Sequence, residues 1–316
     1  MNAPLAKQPA SPADDGNLSF LLESTGIRGR HLKLAATLET ILSAHRYPEP
    51  VAQLLGELVT LCALLGSTLK FQGVFVLQIK GSGAIRTMVA DMTSEGVLRG
   101  YASFDAEAVS TLLAEDLRRE GPADEDQVGR WFGEGHLAFT VDQGEYSERY
   151  QGLVELSGPR LCDSLLQYFR QSQQINAGIV MACGRTAAGW RAGAMLIEQI
   201  PESAGADKND QELENWRRTL ILQSSCKPEE LLNPALSHND LLFRLFHEEG
   251  VRVFDIKPVV FGCRCSRGRV EKILASLASD ELAQMMTPAG LVEVTCEFCN
   301  STYSFSDADL APLRQG

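Results

Sequence analysis

The sequence predicts an α+β protein in three parts. An N-terminal domain with a mixed or antiparallel sheet packed with helices covers 18–201, a helical linker segment covers 202–253, and a small C-terminal domain covers 254–316. Three observations predict this. Short apolar runs rich in β-branched residues follow one another in hairpin-like succession among stretches of helical period, which fits α+β rather than the strict alternation of a doubly wound fold. The composition turns charged and polar after Pro201. Four of the eight cysteines gather near the C-terminus as Cys263-x-Cys265 and Cys296-x-x-Cys299, with thirty residues between the pairs.

Each element has its own reason. Helices are expected at 36–45, where Thr37 could cap the start, and at 50–69. In the second, Pro50 suits the first turn, and Leu54, Leu55, Leu58, Leu61, Cys62 and Leu65 recur at helical spacing. The period then shortens. Strands are expected at 74–79, 85–90 and 97–104, the first two joined by the turn Gly81-Ser82-Gly83. A helix at 106–117, strands at 137–141 and 151–156, a helix at 159–174 and strands at 178–183 and 192–199 complete the first domain.

The linker opens with the loop-like run 203–210 (SAGADKND). Helices follow at 211–224, around Trp216, Leu220 and Ile221, and at 241–249, with a cap and first turn at Lys227-Pro228-Glu229. Residues 202–250 carry ten acidic and five basic side chains. Their apolar residues are thin per turn, so this segment is expected to fold only by docking on another surface and to sit at the low end of the protein's stability. The last part, about sixty residues, has a core of Val259, Val260, Phe261, a helix at 270–277, and Leu291, Val292, Val294, Phe298, Tyr303 and Phe305. A unit that small normally needs a staple.

The four cysteines supply one. Two close pairs separated by one folded segment can set four sulfurs at the corners of a tetrahedron, the arrangement of a structural Zn²⁺ with Zn–S near ~2.3 Å. Cys263, Cys265, Cys296 and Cys299 are therefore the expected ligands of one zinc ion per chain. Arg264, Arg267, Arg269 and Lys272 surround the first pair and can offset the net negative charge of a tetrathiolate centre. The uncommon CxC spacing also places each pair close enough to close a small disulfide ring if the metal leaves. From spacing alone, a purely structural zinc, a redox-sensitive one and a rubredoxin-like iron site all stay open.

The bulk properties narrow the partners. A net charge of −12 opposes generic binding to phosphate backbones or anionic lipid, and residues 254–316 hold six basic against eight acidic side chains, which disfavours nucleic acid. No uninterrupted run of about eighteen apolar residues predicts a membrane span. Residues 1–17 lack an apolar core and read as a disordered leader, not a signal peptide. Cys62, Cys162 and Cys183 lie in apolar stretches and read as small buried hydrophobes, which fits a reducing, cytoplasmic setting. Cys226, in the linker, is expected to be more exposed than these. The five histidines fall in separate segments without metal or triad spacing. Gly81-Ser82-Gly83 lacks the Lys-Ser/Thr of a phosphate loop, so no enzyme activity is predicted.

The runs PVVFGCRCSRGRVEKILASL and VEVTCEFCNSTYSFSDADL resemble the zinc-centre signature of the redox-regulated heat-shock chaperonins, the heat shock protein 33 family. RYPEPVAQLLGELVTLCALLGSTLKFQG (46–73), SERYQGLVEL (147–156) and LFRLFHEEGVRVFD (242–255) extend the resemblance from about Leu18 to the C-terminus. Two positions depart from the family pattern: Gly268 stands where SRER has Glu, and Ser147 where Gly usually precedes ERYQG. The resemblance implies an ATP-independent holdase, compact and inactive while reduced and zinc-bound. Under hypochlorite, or peroxide with heat, such proteins lose zinc and form disulfides, here Cys263–Cys265 and Cys296–Cys299. The linker then unfolds and exposes a surface for unfolding client proteins, with a homodimer on activation. A constitutive zinc-ribbon adaptor, binding a protein partner without redox switching, is the alternative reading.

Overall fold

The computed structural model describes residues 14–69, 71–118, 126–142, 150–172, 175–199 and 210–310. The chain forms two compact units, the second made of the described residues from Gly262 onward together with Ala44–Arg46. In the first, strands β1 (Gly16–Leu22) and β2 (Ile27–Leu34) form a hairpin, and helices α1 (Ala36–Ser43) and α2 (Glu49–Gly66) follow. Strands β3 (Val74–Gly81), β4 (Ile85–Thr93) and β5 (Val97–Phe104) make a meander, continued by helices α3 (Ala106–Asp116) and α4 (Gln127–Phe132). Next come β6 (Gly135–Asp142), β7 (Tyr150–Glu155), helix α5 (Leu161–Ser172) and the hairpin β8 (Asn176–Thr186) and β9 (Gly189–Gln199). Helices α6 (Asp210–Ser224), α7 (Pro228–Leu232) and α8 (His238–Phe246) then lead into β10 (Val251–Pro258) and the short β11 (Val260–Phe261).

The strands build two sheets. One has the order β10-β1-β2-β9-β8 and is antiparallel throughout. The other has the order β11-β5-β4-β3-β6-β7, with one parallel pair, β11 against β5. The expected α+β class with a mixed sheet is therefore what the chain adopts. Its centre is α2. Pro48 and Pro50 set the start of this helix, and fourteen of its eighteen residues are buried. A helix apolar all round belongs inside a core. Here it is packed among Leu32, Leu34 and Leu196 of the five-stranded sheet and Phe75, Leu77 and Leu98 of the six-stranded one. By length and composition α2 could cross a membrane, its apolar residues being interrupted by polar ones. With 78% of it buried, its apolar surface is already taken up by the protein.

Residues 1–13 lie outside the described residues, but 14–17 are not a leader: β1 starts at Gly16, and Asp15 is 1% exposed. The Asp15 carboxylate accepts the backbone N–H groups of Ala35, Ala36 and Thr37 at 2.9–3.0 Å, so Asp15, not Thr37, satisfies the start of α1. The Thr37 hydroxyl instead donates to the Val259 carbonyl at 3.1 Å.

The linker helices dock as their thin apolar faces require. Leu231, Leu241, Leu242, Leu245, Phe246 and Cys226 pack on Leu18, Phe20, Leu22, Ile27, Met195 and Ile197 of the five-stranded sheet, a second core beside the first. The Gln223 amide donates to the carbonyls of Gly178 and Met195, at 3.1 and 3.0 Å, which ties α6 to β8 and β9. Gly193 admits α7: a Cβ there would stand 2.4 Å from the Leu231 carbonyl oxygen. The expected loop at 203–210 lies outside the described residues as far as position 209, and Asp210 already opens α6. Strand β10 crosses the expected boundary at 253 and pairs with β1 along its length.

The second unit holds α9 (Arg267–Ala275), α10 (Ser279–Gln284), the hairpin β12 (Leu291–Thr295) and β13 (Thr302–Ser306), and α11 (Asp307–Leu310). Its core is Val270, Leu274, Leu282, Val292, Phe305 and Leu310. Arg267 fastens it. Its guanidinium lies 4.3 Å over the Phe305 ring, pairs with Glu271 and Asp309 at 3.2 and 3.1 Å, and donates to the Ser304 carbonyl at 2.8 Å.

Candidate metal centre

Two turns bring the four cysteines together. Cys263 and Cys265 lie just before α9, whose first turn is capped by Ser266, its hydroxyl accepting from the Arg269 N–H at 3.3 Å. Arg269 in turn donates to the Arg264 carbonyl at 2.6 Å, which curls the CxC segment around the helix start. Cys296 and Cys299 occupy the turn of the β12–β13 hairpin. There the Asn300 N–H donates to the Cys296 carbonyl at 2.8 Å and the Cys296 N–H to the Ser301 carbonyl at 2.9 Å. Asn300 has φ +58°, the left-handed conformation that Asn tolerates best after Gly and that lets the chain fold back under its own sulfurs.

All four sulfurs lie within 4.8 Å of one another, the one group of three or more potential ligands among the described residues. Two close contacts join the turns, Cys263 to Cys296 at 3.6 Å and Cys265 to Cys299 at 3.4 Å. The sulfurs are half-buried and in reach of donors. The Tyr303 hydroxyl donates to Cys265 Sγ at 3.1 Å, Ser301 Oγ lies 3.3 Å from Cys299 Sγ, and the backbone N–H groups of Phe298 and Cys299 point at Cys296.

Crowded sulfurs compete for negative charge. Burial, with the neighbouring thiols adding, pushes Cys265 up to about 12, against the pull of the Tyr303 hydroxyl. Burial likewise raises Cys296, against the N–H groups of Cys299 and Phe298. Burial also acts on Cys299, but Ser301 and the neighbouring thiols outweigh it and bring this thiol down to about 7. A cation at the centre would favour thiolate at every position, so the donor set suits a metal ion chemically as well as geometrically. Of the basic residues expected to offset the charge, Arg267 is taken up by Glu271, Asp309 and Phe305, and Arg269 by the Arg264 carbonyl.

The structure adds Tyr303 to the residues legible in the sequence. The sequence marks it as core, and the period of β13 does place it on the face of buried Phe305. That same alternation carries its hydroxyl to the sulfurs. The remaining cysteines stand apart. Cys62 and Cys162 are buried and Cys183 half-buried, and burial raises all three thiols, Cys162 to about 11. Cys226, expected to be more exposed than these, lies in the core with residues of α7 and α8; it is 8% exposed, above Cys62 and Cys162 but below half-buried Cys183, and burial pushes it up to about 11.

A family profile described as Hsp33 protein matches residues 15–306. The chain belongs to the Hsp33 family. The 33 kDa chaperonin of Caulobacter vibrioides is 38% identical over 92% of this chain and 94% of its own. That of Pseudomonas syringae pv. tomato is 37% identical over 96% and 95%. The crystal structure of the 33 kDa chaperonin from Thermotoga maritima matches with a TM-score of 0.75, covering 95% of this chain and 97% of that one at 23% identity. The last shows that the fold is an Hsp33 fold. The Hsp33 profile runs past Cys299, so all four clustered cysteines, α9 and the β12–β13 hairpin fall inside the family match.

Proposed function

We propose that this chain is a redox-regulated, ATP-independent holdase of the cytoplasm rather than an enzyme, with the four-cysteine cluster as its switch. One observation carries the reading: a family whose relatives are named chaperonins here presents four sulfurs within 4.8 Å of one another. A tetrahedral Zn²⁺ with Zn–S near ~2.3 Å requires sulfur–sulfur edges of about 3.8 Å. The 3.4 and 3.6 Å contacts across the two turns support that metal, with Cys263, Cys265, Cys296 and Cys299 as its ligands, one ion per chain. When bound, zinc joins the CxC and CxxC turns and so staples a unit whose buried core has six residues. Structural zinc sites carry about 10–16 kcal/mol of apparent binding energy, as much as a small domain's whole stability.

Oxidation removes the staple. Each pair of thiolates gives two electrons to one hypochlorous acid, the protonated form of hypochlorite, forming one S–S bond and leaving chloride and hydroxide. Two such steps, closing Cys263–Cys265 and Cys296–Cys299, leave the ion without ligands and the two turns untied. The marginal α6–α8 segment then opens, exposing apolar surface that holds unfolding client proteins, with a homodimer as the active form.

The test is a hypochlorite titration of the reduced protein. It follows zinc release, helical signal and suppression of aggregation of a heat-unfolded enzyme, with disulfides mapped by mass spectrometry. The expected result is one zinc released per chain, within-pair disulfides, and holdase activity appearing together. A Cys263–Cys296 bond would keep the two turns tied and, like unchanged activation of Cys296→Ser, would defeat the reading.

A further inference from the structure

Two histidines meet where α8 docks on the five-stranded sheet. His31, on β2, is 1% exposed, and His238, the first residue of α8, is 3% exposed. Their Nδ1 atoms lie 3.0 Å apart, with the rings edge-on and their centroids 4.6 Å apart. Such a contact holds a single proton, because one ring must donate its N–H and the other must accept through its lone pair. His31 stands in register with Leu18 on β1 and Met195 on β9, under the linker helices, and its Nε2 is buried with no hydrogen-bond partner among the described residues.

We propose that His31 and His238 form an acid-sensitive latch, which holds α8 on the sheet while both rings are neutral and releases the α6–α8 segment when they take up protons. Three features of the surroundings oppose a positive charge there. Lys33, two residues along β2 on the same face, is itself buried. It donates to the Asn233 and Leu236 carbonyls at 3.2 and 2.8 Å. The carboxylate that faces Lys33, Asp14 at 3.8 Å, is shared with Arg191 of β9 at 2.6 Å. On α8, the first-turn acid Asp240 is engaged by the Ser237 hydroxyl at 2.6 Å, and His238 itself sits at the helix N-terminus, where the helix dipole disfavours a cation. If both rings are charged, N–H faces N–H and the bond between the elements is gone.

Burial, with His238 and Lys33 adding, holds the His31 imidazole well below the usual histidine range. The sign of the linkage follows. Once α8 is released, His31 meets water and titrates near about 6.5, so the released state binds more protons than the docked one. Docking is then at full strength above that pH and weakens about tenfold per pH unit below it for the His31 proton alone. This inference does not depend on the cysteine chemistry, since both rings belong to the first unit.

The experiment uses the full chain, reduced and metal-loaded, from pH 7.5 to 5.5. Hydrogen exchange of peptides covering α8, corrected for the pH dependence of intrinsic exchange, is measured beside metal content and the ¹⁵N signals of the imidazoles. The expected result is a loss of α8 protection of about tenfold per unit below pH 6.5, with the metal retained and the rings charging only as α8 opens. A His31→Leu/His238→Leu double variant should keep its protection across the range. Three outcomes overturn the latch: the same pH dependence in that variant, α8 opening only in step with metal loss, or imidazoles that charge while α8 stays protected. If the double variant does not fold, the exchange and ¹⁵N titrations of the unaltered chain still decide.

Discussion

Arg218 and Glu249 meet in a two-pronged ion pair, Nε to Oε1 at 2.7 Å and Nη2 to Oε2 at 3.0 Å, that ties α6 to the turn after α8. The Ser24 hydroxyl, in the β1–β2 turn, donates to the same carboxylate at 2.6 Å. One buried acid thus collects the first helix of the docked segment, the end of its last helix and the sheet hairpin beneath them. Arg218→Ala leaves that acid buried with only Ser24. Because Arg218 is itself 44% exposed, solvent screens part of the loss, and a cost of about 1 kcal/mol is expected. The Arg218 hydrogen bonds hold Glu249 below the ordinary glutamate range, against burial. Its contribution is therefore complete above about pH 4.3 and is lost as the pH falls through the lower, folded value. Hydrogen exchange of α6 should show the cost at neutral pH and a flatter acid limb in the variant. That limb lies well below the window of the histidine pair.

Cys226 should report the docking of the same segment. With its thiol pushed up to about 11, the thiolate fraction at pH 8 is about one in a thousand, against about one in four for an unperturbed thiol. Iodoacetamide should label Cys226 slowly in the reduced protein, faster by about ten per pH unit, and quickly after hypochlorite treatment. Labelling equally fast before and after oxidation would show that α6–α8 does not leave the sheet.

These two residues mark where the sequence was legible and where it was not. The cysteine cluster was legible because its information is local: two pairs, each on one turn, with Ser266 ready to cap the helix that follows. Helices α6 and α8 were legible from their spacing. The surface they dock on was not, because β1, β2 and β9 come together only through sheet order. Asp15 is the sharpest case. Its three N–H partners lie twenty or more residues away, so a polar residue next to a proline-rich stretch looked like leader. Strand β10 stayed hidden for a different reason. None of its residues is buried, so it shows no core-facing alternation and is held by backbone pairing to β1.

Gly268 lies in the first turn of α9, and a Cβ there would meet nothing within 4 Å. Gly268→Ala should therefore stabilise the second unit by about 0.5–1 kcal/mol through helix propensity alone. Gly268→Glu should add about 0.3–1 kcal/mol from a carboxylate at the helix N-terminus. Chelator titrations of the two variants read this directly: both should require more chelator to release the metal, in the order Glu, Ala, Gly. A reversed order would mean that an acid near the tetrathiolate costs more than the helix gains.

Tyr303 and Cys265 give the last expectation. A hydrogen bond to a thiolate stabilises its negative charge and withdraws electron density from the attacking sulfur, so it slows reaction with an oxidant. The Tyr303 hydroxyl makes that bond at 3.1 Å, and the bond also pushes the phenol itself up to about 12, which keeps it a donor across the physiological range. Tyr303→Phe retains the ring on the face of Phe305 and removes only the donor. Allowing about 1 kcal/mol for a half-exposed charge-assisted bond, Cys265 should be oxidised about fivefold faster. Stopped-flow detection of released metal with a chromogenic chelator, alongside site-resolved mass spectrometry, separates this from a general loosening. Faster modification confined to Cys265, with unchanged metal affinity, is expected. Equal acceleration at all four cysteines would mean that the hydroxyl holds the fold of the turn rather than the reactivity of one sulfur.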